Sequence, residues 1–334
     1  MTKAIKKIKI ILPSIIILSL FLIQNCTPDE PEVERKETFL EGKQFTDLEW
    51  PFTFGQLGST ISFQISPDRT MLLFEAPFGT DSIQYGLNIL HIQPKKITHL
   101  YQNTNNPDWS PDSKWIVFGS GRSLYKIKIN KDSLTLLDDS KDKGGNFFPD
   151  WSPNEHTIAY DRSISDEYGK SGIWLMNKNG TNRTWVFSGV EPIWHPTEPK
   201  ILATALNHKV ITYDLKTKVI TRIFSERIPE NLIGNISYSP DGKRIVYSSQ
   251  HYIWIANADG SAAKRILPSA KLEGTGEGRK LQANFPTWAA DSKHILYRHT
   301  IINKWKETFF GMQSEGVISI YHVNVDSALL ISNL

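Results

Sequence analysis

The chain has 334 residues, of which 40% are hydrophobic and 22% charged, a composition typical of a globular domain with a sizeable core. Its formal charge of +3 comes from Lys3, Lys6, Lys7 and Lys9, since the residues after position 25 include 34 basic and 35 acidic side chains. This balance argues against nucleic acid as a partner, and the single cysteine excludes an internal disulfide.

The first 25 residues predict a signal peptide. A lysine-rich start precedes the apolar run Ile10–Ile23, and these 14 residues are shorter than the roughly 20 that a membrane-spanning helix needs. The run ends at Ile23-Gln24-Asn25-Cys26, which resembles a bacterial lipoprotein signal in which the cysteine becomes the lipidated first residue. The resemblance implies that a lipid on Cys26 holds the protein to a membrane. Ordinary secretion with a free cysteine, or an uncleaved anchor, remain as alternatives.

The composition changes sharply after the leader. Residues 26–37 are rich in proline and charged side chains, which predicts a polar tether. Residues 38–57 include Phe45, Trp50 and Phe54 and are too aromatic for a tether. We therefore expect this N-terminal segment to pack on the folded domain that follows it.

From about residue 58 to the end at 334, one pattern repeats six times. Its best copies read Trp151-Ser152-Pro153-Asn154 and Tyr238-Ser239-Pro240-Asp241, and its most altered copy reads Trp288-Ala289-Ala290-Asp291. The aligned positions are 67, 111, 153, 196, 240 and 290, separated by 44, 42, 43, 44 and 50 residues. A fixed period of this length indicates a solenoid, a propeller or another repeat array.

Each copy contains four short strand patterns. The Ser-Pro-Asp-Gly-Lys type of sequence predicts a turn between two strands, because proline presets φ, aspartate accepts backbone hydrogen bonds and glycine adopts positive φ. A third strand, such as Gly172–Asn177, leads to a glycine turn, and a fourth closes the unit. Four strands in each of six copies, with no long helix, predict an all-β fold: a six-bladed β-propeller of four-stranded antiparallel blades.

These motifs resemble the repeats of the TolB-type propeller, which is related in architecture to WD-repeat proteins. The resemblance covers roughly residues 58 to 330 and rests on the Trp-Ser-Pro-Asp-Gly-Lys turn and on the strand pattern of Gly172–Asn177. It implies the fold but not a function, because similar blades occur in binding proteins, peptidases and lyases. TolB itself has an α/β domain before its propeller, and here about thirty residues separate Cys26 from the first blade, so TolB's partners are not implied.

A propeller must close its ring, and the sequence leaves two ways to do so. Residues 38–57 would supply an edge strand between the first and last blades. Alternatively, the C-terminal run Ala328–Ile331 completes blade 6 and residues 38–57 cover its rim.

We expect one elaborated face. Loops between strands two and three, and between successive blades, emerge on the same side, and four long segments fall there: Asp139–Phe147, Asp161–Ser171, Pro268–Ala283 and Ile301–Gly316. Loops longer than the fold requires are the usual carriers of function. The opposite face is expected to contain only tight turns.

Amide, acidic and aromatic residues near the start of the innermost strands form the predicted binding set at the channel mouth. They are Asn106, Asn146, Phe147, Glu191, Asn235, Asn284 and Phe285. Such a ring could hold a peptide, a glycan or a cation. The competing interpretation is that asparagine before proline is a common loop choice with no ligand.

Other motifs favour structural roles. The tryptophans that end the first strands are expected to pack between blades, and the aspartates of the Ser-Pro-Asp turns to cap those turns. Gly274–Gly278 lacks the strand-to-helix context of a phosphate loop. The nine histidines form no His-Glu-x-x-His motif, and no Gly-x-Ser-x-Gly elbow is present. We assign no catalytic residue, metal ligand or cofactor from the sequence.

Three functions remain open. The leading hypothesis is a non-enzymatic, lipid-anchored binding or scaffold protein of the bacterial cell envelope. It would bind a protein, peptide or envelope glycan through its loop-rich face and axial channel. We expect it on the outer membrane, facing the periplasm or the surface. The alternative is a carbohydrate-active lyase or hydrolase with an axial metal site. The third is a purely structural envelope protein whose channel is filled by side chains.

Overall fold

The computed structural model describes residues 43–44, 50–54, 63–76, 85–139, 144–164, 170–224, 233–250, 252–267, 280–308 and 311–326. The predicted signal peptide, Cys26, the tether and the run Ala328–Ile331 lie outside these residues. The described part folds as an all-β, six-bladed propeller of four-stranded antiparallel blades, which confirms the predicted fold class.

Blades 1 to 5 are antiparallel sheets whose strands pair in chain order. Blade 1 contains β3 (Phe63–Ile65), β4 (Met71–Ala76), β5 (Gly86–His91) and β6 (Lys96–Tyr101). Blade 2 contains β7 (Asn105–Trp109), β8 (Trp115–Ser120), β9 (Ser123–Lys128) and β10 (Leu134–Asp138). Blade 3 contains β11 (Gly145–Trp151), β12 (Thr157–Ser163), β13 (Gly172–Asn177) and β14 (Thr184–Phe187).

The next two blades follow the same plan. Blade 4 contains β15 (Val190–Trp194), β16 (Lys200–Thr204), β17 (Val210–Asp214) and β18 (Ile220–Arg222). Blade 5 contains β19 (Ile233–Tyr238), β20 (Arg244–Ser249), β21 (Tyr252–Asn257) and β22 (Lys264–Leu267). First strands contact one another in four neighbouring pairs of blades: β7 with β11, β11 with β15, β19 with β23 (Lys280–Trp288), and β23 with β3. Blades 1 and 2, and likewise blades 4 and 5, share a buried core, so the ring is closed.

Blade 6 differs from the others. It consists of β23, β24 (His294–Thr308) and β25 (Gly311–Asn324), and its outer strand is β1 (Lys43–Gln44), which comes from the other end of the chain. A further strand, β2 (Trp50–Phe54), pairs antiparallel with Ser314–Ile318 of β25. The last blade is therefore built from both ends of the propeller sequence.

The prediction that Ile301–Gly316 is a loop is wrong. Residues 301–308 and 311–316 continue β24 and β25 as a paired hairpin, and Lys280–Ala283 of the predicted loop Pro268–Ala283 pairs alongside it. We call residues 280–283, 299–308 and 311–319 together with β2 the blade-6 arm. At about 3.3 Å per residue, its longest strand extends roughly 30 Å beyond the length of the other blades. The sequence pattern missed it because these residues show little of the apolar alternation that indicates a strand.

The repeated turn has the structure that its sequence predicts. In the Ser239 copy, the serine hydroxyl donates to Asp241 Oδ1 at 2.7 Å, the backbone N–H of Arg244 donates to Ser239 Oγ at 2.9 Å, and that of Lys243 donates to Asp241 Oδ1 at 3.1 Å. The copies at Ser66, Ser110 and Ser152 repeat this network. These aspartates are turn caps, as expected.

The core lies between the blades. One position of each second strand has no exposed surface: Leu72, Ile116, Ile158, Ile201, Ile245 and Ile295. Burying each of these side chains contributes about 1.5–3 kcal/mol. The first-strand tryptophans also pack between blades, since Trp109 Nε1 donates to Gln64 O and Trp288 Nε1 donates to Ser237 O of the preceding blade. In the part of the chain that the structure describes, no helix is long and apolar enough to cross a membrane.

Candidate channel-mouth site

A bulge recurs near the start of the innermost strand and shapes the channel mouth. In blades 2 to 6 the strand register shifts at this point, and one residue with φ between +47° and +56° lies in the shift. These bulge residues are Asn106, Phe148, Glu191, Asn235 and Phe285. Positive φ is unfavourable for residues other than glycine, so its recurrence in five blades marks the bulge as part of the architecture. The side chain at the bulge varies freely between blades.

The structure places the predicted binding residues at three different positions along the inner strands. Asn106, Glu191, Asn235 and Phe285 are bulge residues, Phe147 and Asn284 come one residue before the bulge, and Asn146 comes two residues before it. Asn235 and Glu191 are exposed, whereas Asn106, Phe147, Asn284 and Phe285 are half-buried. Asn146 has no exposed surface, and neither of its side-chain polar atoms has a hydrogen-bond partner among the described residues. It lies beneath the surface rather than on it.

A second set of side chains borders the bulges. The ends of the second strands place one residue from each blade at the same level: Glu75, Gly119, Asp161, Thr204, Ser248 and Arg298. This set includes two acids and one arginine, so the mouth does not have the same charge all round. The hydroxyl of Ser248 has its partners within its own blade, since its Oγ lies within hydrogen-bond distance of two acceptors, Gly234 O and Asn235 Oδ1.

Blades 3 and 4 form the acidic side of the mouth. Asp161 is 5% exposed, and its Oδ2 accepts a hydrogen bond from the backbone N–H of Glu191 at 3.1 Å. Burial, assisted by the nearby Glu191 carboxylate, raises the pKa of Asp161 to about 6. The surrounding protein also raises the pKa of Glu191 by displacing part of its water. These two carboxyl groups would favour a ligand with a positive charge or hydrogen-bond donors.

Two further carboxyl groups lie two residues after the bulges, between the inner strands. Asp108 Oδ2 accepts from the backbone N–H of Trp151 at 2.7 Å, and Asp150 Oδ2 accepts from that of Trp194 at the same distance. Each aspartate thus links its blade to the next. Burial raises the pKa of Asp108 to about 7, and burial together with the charge of Asp108 raises the pKa of Asp150 well above its usual range.

Blade 6 places a cation on the other side of the mouth. Arg298 is 8% exposed and lies at the base of the blade-6 arm, paired in register with Asn284. Its guanidinium carbon lies 4.2 Å from the centroid of the Phe285 ring, a cation–π geometry. Burial lowers the pKa of Arg298 to about 10. Two blades lie between Arg298 in blade 6 and Asp161 in blade 3 in either direction, so they are on opposite sides of the six-bladed ring.

Sequence reasoning did not single out Asp108, Asp150, Asp161 or Arg298. The first two come directly before the tryptophan that ends the inner strand, and the last two come directly after the Ile-x-Tyr motif of the second strand. The alignment of the repeats could have identified these residues. Each is charged at a position that several other copies fill with an uncharged residue. Among the described residues, no group of three or more histidine, cysteine, aspartate or glutamate side chains is arranged to bind a metal.

Comparison with known proteins agrees with the geometry. No family model matches the chain. The uncharacterized protein Atu1656 of Agrobacterium fabrum (strain C58) is 28% identical over 207 residues, which are 57% of this chain and 68% of that protein. The Tol-Pal system protein TolB of Ruthia magnifica subsp. Calyptogena magnifica is 27% identical over 120 residues, which are 32% of this chain and 27% of that protein.

The crystal structure of TolB from Acinetobacter baumannii superposes with a TM-score of 0.51 at 13% identity, covering 77% of this chain and 63% of that one. The chain is therefore a six-bladed β-propeller. More particularly, its fold is that of the TolB-like propellers, as the sequence motifs predicted. At these identities the comparison defines the fold, and the chain spans about a quarter of the length of the TolB relative.

Proposed function

We propose that this protein is a non-enzymatic binding module of the bacterial cell envelope, which engages a protein, peptide or envelope glycan through the channel mouth and the blade-6 arm. The observation that supports this most is the arm. Residues 299–308 and 311–319 are not needed to close the ring, because β1 and the ends of β24 and β25 already complete blade 6. An extension of roughly 30 Å beside the mouth adds to the surface on which a partner could bind, and a specific protein interface needs about 800 Å² on each partner.

The relatives favour a protein partner. One of them is named as a Tol-Pal system protein, and from that name we propose for this chain a place in the envelope and a protein partner there. The polar character of the mouth, with exposed Asn235 and Glu191, is compatible with a glycan as well.

We propose further that residues 1–25 are removed as a signal peptide, that Cys26 receives a lipid, and that residues 26–37 tether the propeller (58–334) to the membrane, with the outer membrane as the expected location. The sequence around Cys26 is the support for this. Changing Cys26 to Ala should abolish incorporation of an alkyne-labelled fatty acid and release the protein from the membrane fraction. Equal labelling of both forms would contradict lipidation.

An enzyme with an axial metal site is the second candidate. The observation in its favour is the pair Asp108 and Asp150, because their raised pKa values indicate that a nearby cation would stabilise the ionised carboxylates. Elemental analysis of protein purified without chelators tests it. Less than stoichiometric divalent metal in the wild type would count against this candidate.

A pull-down from crosslinked native envelope tests the proposed function. One bait is residues 26–334, and a second has residues 303–315 replaced by Asn-Gly, which joins the paired residues Ile302 and Gly316 by a two-residue hairpin turn. A third bait has Lys114→Glu and Lys243→Glu on the opposite face, where both lysines are exposed. We expect a partner on the first and third baits and its loss from the second. Recovery of the same partners on all three would contradict the proposal.

A further inference from the structure

We infer that Arg298 binds a carboxylate group of a ligand that enters the channel mouth at the base of the blade-6 arm. This inference rests on the proposed function, because it names the chemistry of the ligand that the mouth would bind. Arg298 has a relative exposure of 8%, and it makes no ion pair or hydrogen bond to the described part of the chain. Its Nε is sealed from solvent and has no acceptor among the residues that the structure describes.

A buried guanidinium without a partner is unfavourable for folding. Buried charges in proteins are nearly always paired, because the lost hydration of an unpaired one costs several kcal/mol. Other arginines of this chain follow that rule: Arg244 Nη1 lies 3.2 Å from Asp326 Oδ1, and Arg162 and Arg183 both lie within 3.5 Å of Asp138 Oδ2. Among the described residues Arg298 departs from that rule, and it does so beside the Phe285 bulge near the start of the inner strand of blade 6.

The contact with Phe285 leaves the N–H donors of the guanidinium free to bind a ligand. The ring covers one face of the guanidinium at 4.2 Å, and the bulge, with φ +53° at Phe285, fixes where that ring lies. The N–H donors point outward in the plane of the group, so the stacked face does not use them. Their fork matches the two oxygens of a carboxylate, which a lysine ammonium cannot do.

The opposite side of the mouth restricts the ligand further. Asp161 and Glu191 lie across the ring and repel a second negative charge. We therefore expect a ligand with one carboxylate and a neutral or positive remainder, rather than a polyanion. A peptide and a sugar acid both satisfy this, and they share the carboxylate chemistry.

The test measures binding of two matched pairs of small probes by NMR titration of the protein. One pair is an N-acetyl dipeptide with a free C-terminal carboxylate and its C-terminal amide; the other is a monosaccharide uronic acid and its neutral sugar. For the wild type we expect the carboxylate member of at least one pair to bind at least tenfold more tightly than its neutral counterpart. The pair that responds identifies the source of the carboxylate.

Three variants locate the binding. Arg298→Met should reduce carboxylate affinity at least tenfold, Arg298→Lys should retain part of it, and Arg244→Met should retain all of it, since Arg244 stacks on Trp288 but is already paired with Asp326. Equal binding of carboxylate and neutral probes by the wild type would overturn the inference. So would unchanged affinity in Arg298→Met.

A thermal unfolding measurement distinguishes a loss of binding from a loss of folding. If Arg298 serves the ligand, Arg298→Met should unfold at the same or a higher temperature than the wild type, whereas a structural role requires a lower one. The pull-down separates this inference from the proposed function. If the wild-type bait retains its partner while carboxylate probes fail to bind, the inference is wrong and the proposed binding function stands. If no partner depends on the arm, the proposed function is wrong, whatever the probes show.

Discussion

Replacing Asp108 with Asn should stabilise the protein above neutral pH. The Asp108 carboxyl lies between the inner strands of blades 2 and 3, and burial raises its pKa from 3.8 to about 7. Asparagine keeps an oxygen that can accept the hydrogen bond from Trp151 N–H, now 2.7 Å from Asp108 Oδ2, while removing the charge. The change therefore isolates the cost of the buried negative charge from the loss of the link between blades.

The size of the effect follows from the pKa. The difference between 3.8 and about 7, at 1.36 kcal/mol for each pH unit, corresponds to about 4 kcal/mol by which the ionised form disfavours folding. The charge of Asp108 also raises the pKa of Asp150, and this repulsion relaxes when either group is neutral. We expect a gain of about 1–2 kcal/mol in the free energy of unfolding for Asp108→Asn at pH 8.

The pH dependence has a definite sign. The folded state binds the Asp108 proton more tightly than the unfolded state does, so stability falls as the pH rises from about 4 to about 7. Urea unfolding at pH 5, 6.5 and 8 should show this fall in the wild type and a shallower fall in Asp108→Asn. Asp132→Asn, which removes an exposed surface carboxylate, is the matched control. Parallel profiles for wild type and Asp108→Asn, or a less stable variant at pH 8, would refute the reasoning.

Three further changes test how single side chains contribute to the stability of the propeller, each by urea unfolding at pH 7. Asp138→Ala leaves two arginines without their buried carboxylate and should cost about 3 kcal/mol; no loss would show that the cluster is solvated. Gly260→Ala should cost about 2 kcal/mol, because φ is +79° and a Cβ would lie 2.0 Å from Ile223 O; an unchanged midpoint would contradict this close approach. Arg298→Met should gain up to about 3 kcal/mol, from the lowering of its pKa from 12.5 to about 10; a clear loss would indicate a structural role.

The blade architecture could be predicted because it depends on local chemistry that repeats. The Ser-Pro-Asp turn places its hydrogen bonds within five residues, from Ser239 to Arg244, so the sequence determines the turn by itself. The buried isoleucines follow at a fixed offset because the second strand begins at that turn. Six copies then make the ring, since each blade needs a neighbour to bury its faces.

The channel mouth could be predicted only in part. The residues named from the sequence lie near the starts of the inner strands. A one-residue bulge shifts the register there, and its position depends on pairing rather than on composition. The sequence interpretation therefore chose Asn146 and Phe147, whereas Phe148 has the bulge conformation. Arg298 was overlooked because its burial and its contact with Phe285 arise from tertiary structure.

The arm was missed for a different reason. Residues 301–316 have no turn signal at either end of the hairpin and little apolar alternation, so they resemble a loop. Their strand structure depends on pairing with each other and with β2, which is more than 250 positions earlier in the chain. Such a long-range contact cannot be inferred from the period of the repeat.

Site-specific photo-crosslinking in native envelope tests the central claim most directly. A photoreactive amino acid is placed at position 235, which is exposed at the channel mouth, and in a second protein at position 243, which is exposed on the opposite face. A binding module that works through its mouth should give a discrete higher-mass adduct from position 235 and none from position 243. Adducts from position 243 alone, or identical adducts from both positions, would contradict the account.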